Sequence, residues 1–428
     1  MSTPRSTPMN KLSNIFNPYS LLFLGVFIEY FPTFYNSEKP ALNIGPISLY
    51  ITDFSILFLF AFALFNITKP QPRLSLKKNL VGKNIQIIFG LFFVYSIFKW
   101  FIQSEHDTGS IRMMLAFATA YIFLFFFPMH MGRQKILRNL LFLLVLFQVY
   151  IFILHIYAFS TQGFILHILS GGFLSMLSLL YFFLVIKNNL LKFSPTVTFF
   201  LKASIIITYF MVGHRSGLIA LMLGLIALYF FSKKTVMKEV AALMPILILG
   251  IGMAFIISPN LLTKISERAA TTFDTKQDTY QGRFYNVFKI LELSKHHPII
   301  GKPLVTNETV RTMKLKTGSG NSTTGVSQLV VTPHNLVLEW LLYYGWLGVL
   351  FGSLLIIISS QYIYRFLRTH KYNRQCYQIG VIVLCTMIHN LFYALTNVTT
   401  SSIFATFFLY FPIIMLIAIS RNEKTYCK

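Results

Sequence analysis

Long apolar runs alternate with short polar segments along almost the whole chain. An apolar run of about twenty residues is the length that crosses the hydrocarbon core of a bilayer as a helix. In lipid the backbone must satisfy its own hydrogen bonds, and a helix does this within one segment. Spans are predicted near 18–34, 47–67, 84–102, 112–130, 139–159, 164–186, 195–213, 215–231, 240–258, 341–363, 376–396 and 401–420. The expected fold class is an all-α polytopic membrane protein with about twelve transmembrane helices. One interval breaks the rhythm: residues 259–333, between the ninth and tenth spans, form a large loop.

Within that loop Phe284, Val287, Phe288 and Leu291 recur at spacings of three and four, which predicts an amphipathic helix from Tyr280 to Lys295. Pro298 and Gly301, in the tract HHPIIGKP, should end it. Residues 316–327 (KTGSGNSTTGVS) have the composition of a connecting segment. The chain thus divides into spans one to nine over 1–258, the loop over 259–333, and an outer-face helix with the last three spans over 334–428. No internal repeat is present.

Composition sharpens the membrane reading. Apolar residues make up 55% of the chain and charged residues only 12%, about half the charge of a soluble domain. Disordered, collagenous, coiled-coil and disulfide-stapled classes are excluded by the same figures. The balance of 37 Lys and Arg against 13 Asp and Glu gives +24. Such an excess suits nucleic acid, anionic lipid or an anionic substrate, and its distribution decides among them. Arg5 and Lys11; Lys69, Arg73, Lys77, Lys78 and Lys83; Arg133, Lys135 and Arg138; Lys187 and Lys192; Lys233, Lys234 and Lys238; Arg365, Arg368, Lys371 and Arg374; and Arg421, Lys424 and Lys428 all fall on one side. By the positive-inside rule that side is cytoplasmic, with both termini inside. The opposite short loops hold Lys39, with Lys99, Arg112 and Arg215 at span ends. The 259–333 loop is net basic yet extracytoplasmic, because long loops escape the rule. Scatter over many short loops excludes a nucleic-acid patch.

Cys376, Cys385 and Cys427 form no CxxC or Cys/His cluster, so neither a disulfide nor a zinc site is expected. No cleavable leader is expected, since Glu29, Tyr30 and Pro32 stand where a small-residue cleavage site would lie. The sequons at Asn307 and Asn321 read as chance matches.

Candidate chemistry gathers on the outer face. Arg112 begins the fourth span, Arg215 in GHRSG sits at a span mouth, Arg283 in QGRFYNVF opens the loop helix, and His334 in TPHNLVLEWLLYYGWLG starts another helix. Each has a plainer reading. An arginine at a span end anchors at the interface, a histidine at a helix start is solvated or caps, and an amphipathic loop helix lies on the membrane surface. His155, His167 and His389, inside spans, are expected to make interhelical hydrogen bonds, and Lys202 to snorkel to the cytoplasmic surface. Asp53 and Glu29 could pair with an outer arginine.

Taken together, these residues resemble the bacterial O-antigen ligase/polymerase superfamily. The order is an arginine at a span mouth, a large loop with GR-x3-V-x-K-I and HHPIIG, then His-Asn before a helix. The ligase pattern His-[Asn/Ser/Gln]-x9-Gly-x-x-[Gly/Thr/Tyr] is met by His334, Asn335, Gly345 and Gly348. The topology resembles the family over the whole chain, and the motifs over about 211–348. Arg215 departs from the family tract, being preceded by His and followed by Ser-Gly.

The resemblance implies a GT-C-like fold and a glycan donor on a polyprenyl (undecaprenyl) diphosphate at the periplasmic face of the bacterial inner membrane. The acceptor would be lipid A–core in a ligase, or a growing glycan in a polymerase. Positioned guanidiniums can hold a departing diphosphate in forked geometry. Arg215 and Arg283 are expected to do so, with Arg112 a further substrate-binding candidate. His334 would take the acceptor hydroxyl proton as general base, with Asn335 and Glu339 orienting it or a sugar hydroxyl. Direct inverting displacement without a cofactor or metal is expected, because no carboxylate pair suggests a covalent intermediate and the loop has no DxD. The ligase is the preferred reading and the repeat-unit polymerase the alternative. From other classes come a twelve-span transporter, which would show internal repeats and a midplane site, and a scaffold.

Overall fold

The computed structural model describes residues 42–44, 47–49, 61, 82–102, 134–162, 172–186, 190–191, 193–212, 215–242, 244–245, 287–288, 290–301, 335–396 and 403–422. They form a helical assembly with one short hairpin. Strands β1 (Leu42–Ile44) and β2 (Ile47–Leu49) pair antiparallel with Ile44 opposite Ile47. The sequence pattern places 47–49 at the start of a helical span, so the hairpin corrects that boundary. β-Branched residues such as Ile44 and Ile47 suit paired strands better than a helix start.

The helices are α1 (Lys83–Ile102), α2 (Gln134–Gln162), α3 (Gly172–Ile186), α4 (Pro195–Val212), α5 (Arg215–Phe231), α6 (Leu336–Thr369), α7 (Arg374–Thr396) and α8 (Ile403–Arg421). Local chemistry sets several starts. The Ser194 hydroxyl accepts from the Val197 amide at 3.3 Å, with Pro195 in the first helical position of α4, where its missing N–H costs nothing. Asn373 caps α7 by accepting from the Cys376 amide at 3.1 Å.

Among the described residues α1, α6, α7 and the 137–157 stretch of α2 are long and apolar enough to cross a membrane. Shorter apolar helices lie at Leu174–Ile186, Pro195–Tyr209, Ser216–Phe231 and Tyr410–Arg421. The chain is thus a multi-pass helical membrane protein. The first and fourth predicted spans, and most of the second and ninth, lie outside the described residues.

Helix α7 is the hub, packed against α3, α5, α6 and α8, while α1 leans on α6. The burial of their apolar windows, 67% for α7 against 28% for α1, separates a central helix from one at the lipid boundary. Without water in the bilayer core, packing and polar links replace the hydrophobic effect between helices. His389 of α7 supplies such a link, with its Nε2 2.8 Å from the Tyr209 hydroxyl of α4 and its Nδ1 2.9 Å from Asn390 Oδ1. Gln148 of α2 donates to Ser204 and Thr208 of α4 at 3.2 and 3.1 Å.

Three expectations are corrected here. His155 bonds its own helix, Nδ1 to the Ile151 carbonyl at 2.8 Å, rather than a neighbour. Lys202 does not snorkel: it is buried and ion-paired with Glu239, from the helical stretch 233–242, with Tyr181 of α3 alongside. A buried ammonium must find a counter-charge, and here it lies in a different helix. Cys376 is disulfide-bonded, whereas Cys385 is a buried free thiol.

Candidate functional site

Helix α6 begins at Asn335, whose extended backbone (φ −156°, ψ 128°) makes it the N-cap. Its Oδ1 accepts from the Val337 and Leu338 amides at 2.9 and 3.3 Å. Its Nδ2 donates to the Leu395 carbonyl at 2.9 Å, near the end of α7. One side chain therefore satisfies two orphan amides and ties the start of α6 to α7. Asn335→Ala should cost on the order of 1–2 kcal/mol of stability, while Asn335→Asp keeps the capping oxygen and loses the donor to Leu395. Thermal unfolding of the two variants would separate the cap from the tie. Equal losses would show that the tie carries the effect.

Glu339 lies in the first turn of α6, only 1% exposed, where a carboxylate meets the positive end of the helix dipole. Helix α6 then kinks at Gly345, whose φ of 63° and ψ of −163° belong to a region that glycine alone occupies readily.

The kink is filled by the turn 298–301. The Trp346 amide donates to the Pro298 carbonyl at 2.8 Å. A Cβ on Gly345 would lie 2.2 Å from the Ile299 carbonyl oxygen, and a Cβ on Gly301 (φ 74°) would lie 2.6 Å from the Tyr343 and Gly345 backbone. Two glycines thus let two backbones touch. The HHPIIG tract, read from sequence as a helix stop, is also the part of the loop that docks on α6. Gly348 and Gly352 continue the small face, with Gly352 against the Trp340 ring.

The loop helix before this turn is helical at 287–288 and 290–296, and it carries apolar residues on two faces. Ile290 is fully buried and Leu293 packs on the core, whereas Phe288 and Leu291 are exposed. With Trp346 they line an open cleft of about 490 Å³, edged by Glu292, Ser294, Lys295 and Pro298.

Of the predicted site residues, Asn335 and Glu339 are brought together on the first turn of α6. Arg215 is the first residue of α5, and only its backbone is described. His334, Arg283 and Arg112 lie outside the described residues. Sequence reasoning missed Tyr95 and Lys99 of α1. The Tyr95 hydroxyl shares its proton between the Tyr344 carbonyl at 2.8 Å and the Ile299 carbonyl at 3.2 Å. Lys99 is buried with its ammonium 4.9 Å from the Tyr344 ring centre. The available signal was a lysine ending an apolar run with a tyrosine four residues before it, one helical turn away.

These features define a multi-pass helical membrane protein in which a loop turn is locked into a kinked helix beside a capped helix start. Residues 198–352 match a family model described as O-antigen ligase. The match, over roughly a third of the chain, supports the O-antigen ligase/polymerase superfamily. It runs from α4 through Arg215, Arg283, His334 and both glycines of the kink to Gly352. No curated protein matches the chain.

Proposed function

We propose that the protein transfers a glycan from a polyprenyl diphosphate carrier to lipid A–core at the periplasmic face of the inner membrane. Arg215 and Arg283 hold the departing diphosphate, with Arg112 supporting them, and His334 accepts the proton of the attacking hydroxyl. The hydroxyl oxygen forms its bond to the anomeric carbon as the diphosphate oxygen leaves, inverting that centre. The observation that carries the reading is the accommodation of the family motif in α6. Asn335 caps the helix, and Gly345 admits the HHPIIG turn. Both motif segments flanking the predicted base thus meet in one structural unit, and the match over 198–352 spans them.

The test is a lipopolysaccharide gel from a host lacking the gene. Loss of the glycan ladder, with long lipid-linked glycan accumulating, is expected. A single repeat unit left on the core would mean a polymerase instead, and an unchanged ladder would remove the function.

Charge neutralisation by arginine makes a divalent ion unnecessary in this scheme. Transfer in membranes should therefore persist in excess chelator. Loss of activity with recovery on added Mg²⁺ would show that the arginines do not suffice.

A further inference from the structure

Helix α1 presents one coherent stripe to α6. Phe92 meets the Tyr344 ring edge-on at 5.2 Å, the Tyr95 hydroxyl binds the Tyr344 carbonyl at 2.8 Å, and Lys99 covers the ring at 4.9 Å. Positions 92, 95 and 99 share one helical face. The opposite face, with Leu91, Val94, Phe98 and Phe101, is exposed as at a lipid boundary. Lys99 lies three residues from the end of α1, so its stem could carry the ammonium to the membrane surface as such lysines usually do. Instead it is 1% exposed and turned inward onto Tyr344. An ionisable group buried this way in an apolar span marks a functional position more often than a packing one. Glu339, on the first turn of the same helix as Tyr344, is equally buried.

We propose that Lys99 is a positioning residue of the transfer site. With Tyr95 it fixes the Tyr344–Gly345 kink, and through the kink it sets both the first turn of α6 and the docked turn 298–301. Tyr95 reaches the two sides of this junction with a single hydroxyl, since it bonds Ile299 of the turn as well as Tyr344 of the helix. Lys99 holds the ring whose backbone supplies that carbonyl. The inference rests on the reading that the start of α6 belongs to the transfer site, and its test has an arm that does not.

The full chain in lipid nanodiscs is compared with its Lys99→Met, Lys99→Arg and Tyr95→Phe variants. The Trp346 amide, bonded to Pro298, reports the junction through hydrogen exchange. Its exchange should accelerate on the order of tenfold in Lys99→Met and Tyr95→Phe. In parallel, kcat for glycan transfer should fall on the order of 100-fold in Lys99→Met with donor KM nearly constant, the pattern of lost alignment. Lys99→Arg, which keeps a cation over the ring, should recover most of both. Tyr95→Phe removes a single oxygen and keeps the ring, so it tests the junction even where Lys99→Met fails to fold. Unchanged Trp346 exchange in the variants that fold overturns the proposal, whatever the activity. Accelerated exchange with wild-type kcat overturns the positioning role as well. If the wild-type chain transfers no glycan, the function fails but the exchange arm still decides whether Lys99 and Tyr95 hold the kink.

Discussion

Gly345→Ala is expected to abolish detectable transfer while the protein still inserts in the membrane. The added Cβ would sit 2.2 Å from the Ile299 carbonyl oxygen and 2.6 Å from that of Pro298, both backbone atoms that cannot rotate aside. The backbone at φ 63°, ψ −163° adds strain of about 1–3 kcal/mol for any residue with a Cβ. The cheapest relief is to release the 298–301 turn, which breaks the Trp346–Pro298 hydrogen bond and the Tyr95 bridge together. A displacement of about 1 Å near reacting groups can cost on the order of 100-fold in rate. The control is Leu350→Ala, on an exposed position of the same helix, which should transfer normally. Monodisperse protein with full activity in Gly345→Ala would show that the junction is dispensable.

That prediction marks where the sequence stopped being readable. The spans corresponding to α1 to α8 were legible because the bilayer imposes a run length on the chain. The start of α6 was legible nearly to the residue, as a helix opening at His334 where polar residues give way to an apolar run. The HHPIIG tract was legible only as a stop. Its docking on Gly345 depends on two positive-φ glycines more than forty residues apart, and spacing along the chain carries no record of which glycines will face one another.

The loop helix shows a second limit. Phe284, Val287, Phe288 and Leu291 satisfy the helical period, but so does the face bearing Ile290 and Leu293, and the structure buries the latter. At a membrane surface an exposed apolar face carries less penalty than in water. Periodicity therefore finds the helix without choosing its buried side. Lys202 fails for a related reason, and Lys99, read only as a charge at a span end, behaves alike. Position near a span end predicts snorkelling, yet each is turned inward by a partner on a distant helix, Tyr344 for one and Glu239 for the other. Partners of that kind are tertiary facts. Of the candidate site, Asn335 and Glu339 fall on the first turn of α6, whereas the contacts that α1 makes with that helix left no mark on the spacing.

His334→Ala should lower kcat by about 100- to 10,000-fold, the range for removing a general base, with donor binding retained. Arg215→Ala and Arg283→Ala should instead weaken donor binding as well as transfer, because a diphosphate grip acts on ground state and transition state alike. The distinction follows from role: a base acts on the proton in transit, whereas a diphosphate grip is made before the reaction as well as during it. Neutral imidazole is the form that accepts a proton, so transfer should rise with pH through the imidazole range and then level. In His334→Ala that acidic limb should vanish from the residual rate. Residues acting as one unit are not additive, and His334→Ala combined with Arg283→Ala should be little worse than the slower single variant. An acidic limb that survives in His334→Ala, or multiplicative losses in the double variant, would assign the proton transfer to another group and leave His334 outside the reacting set.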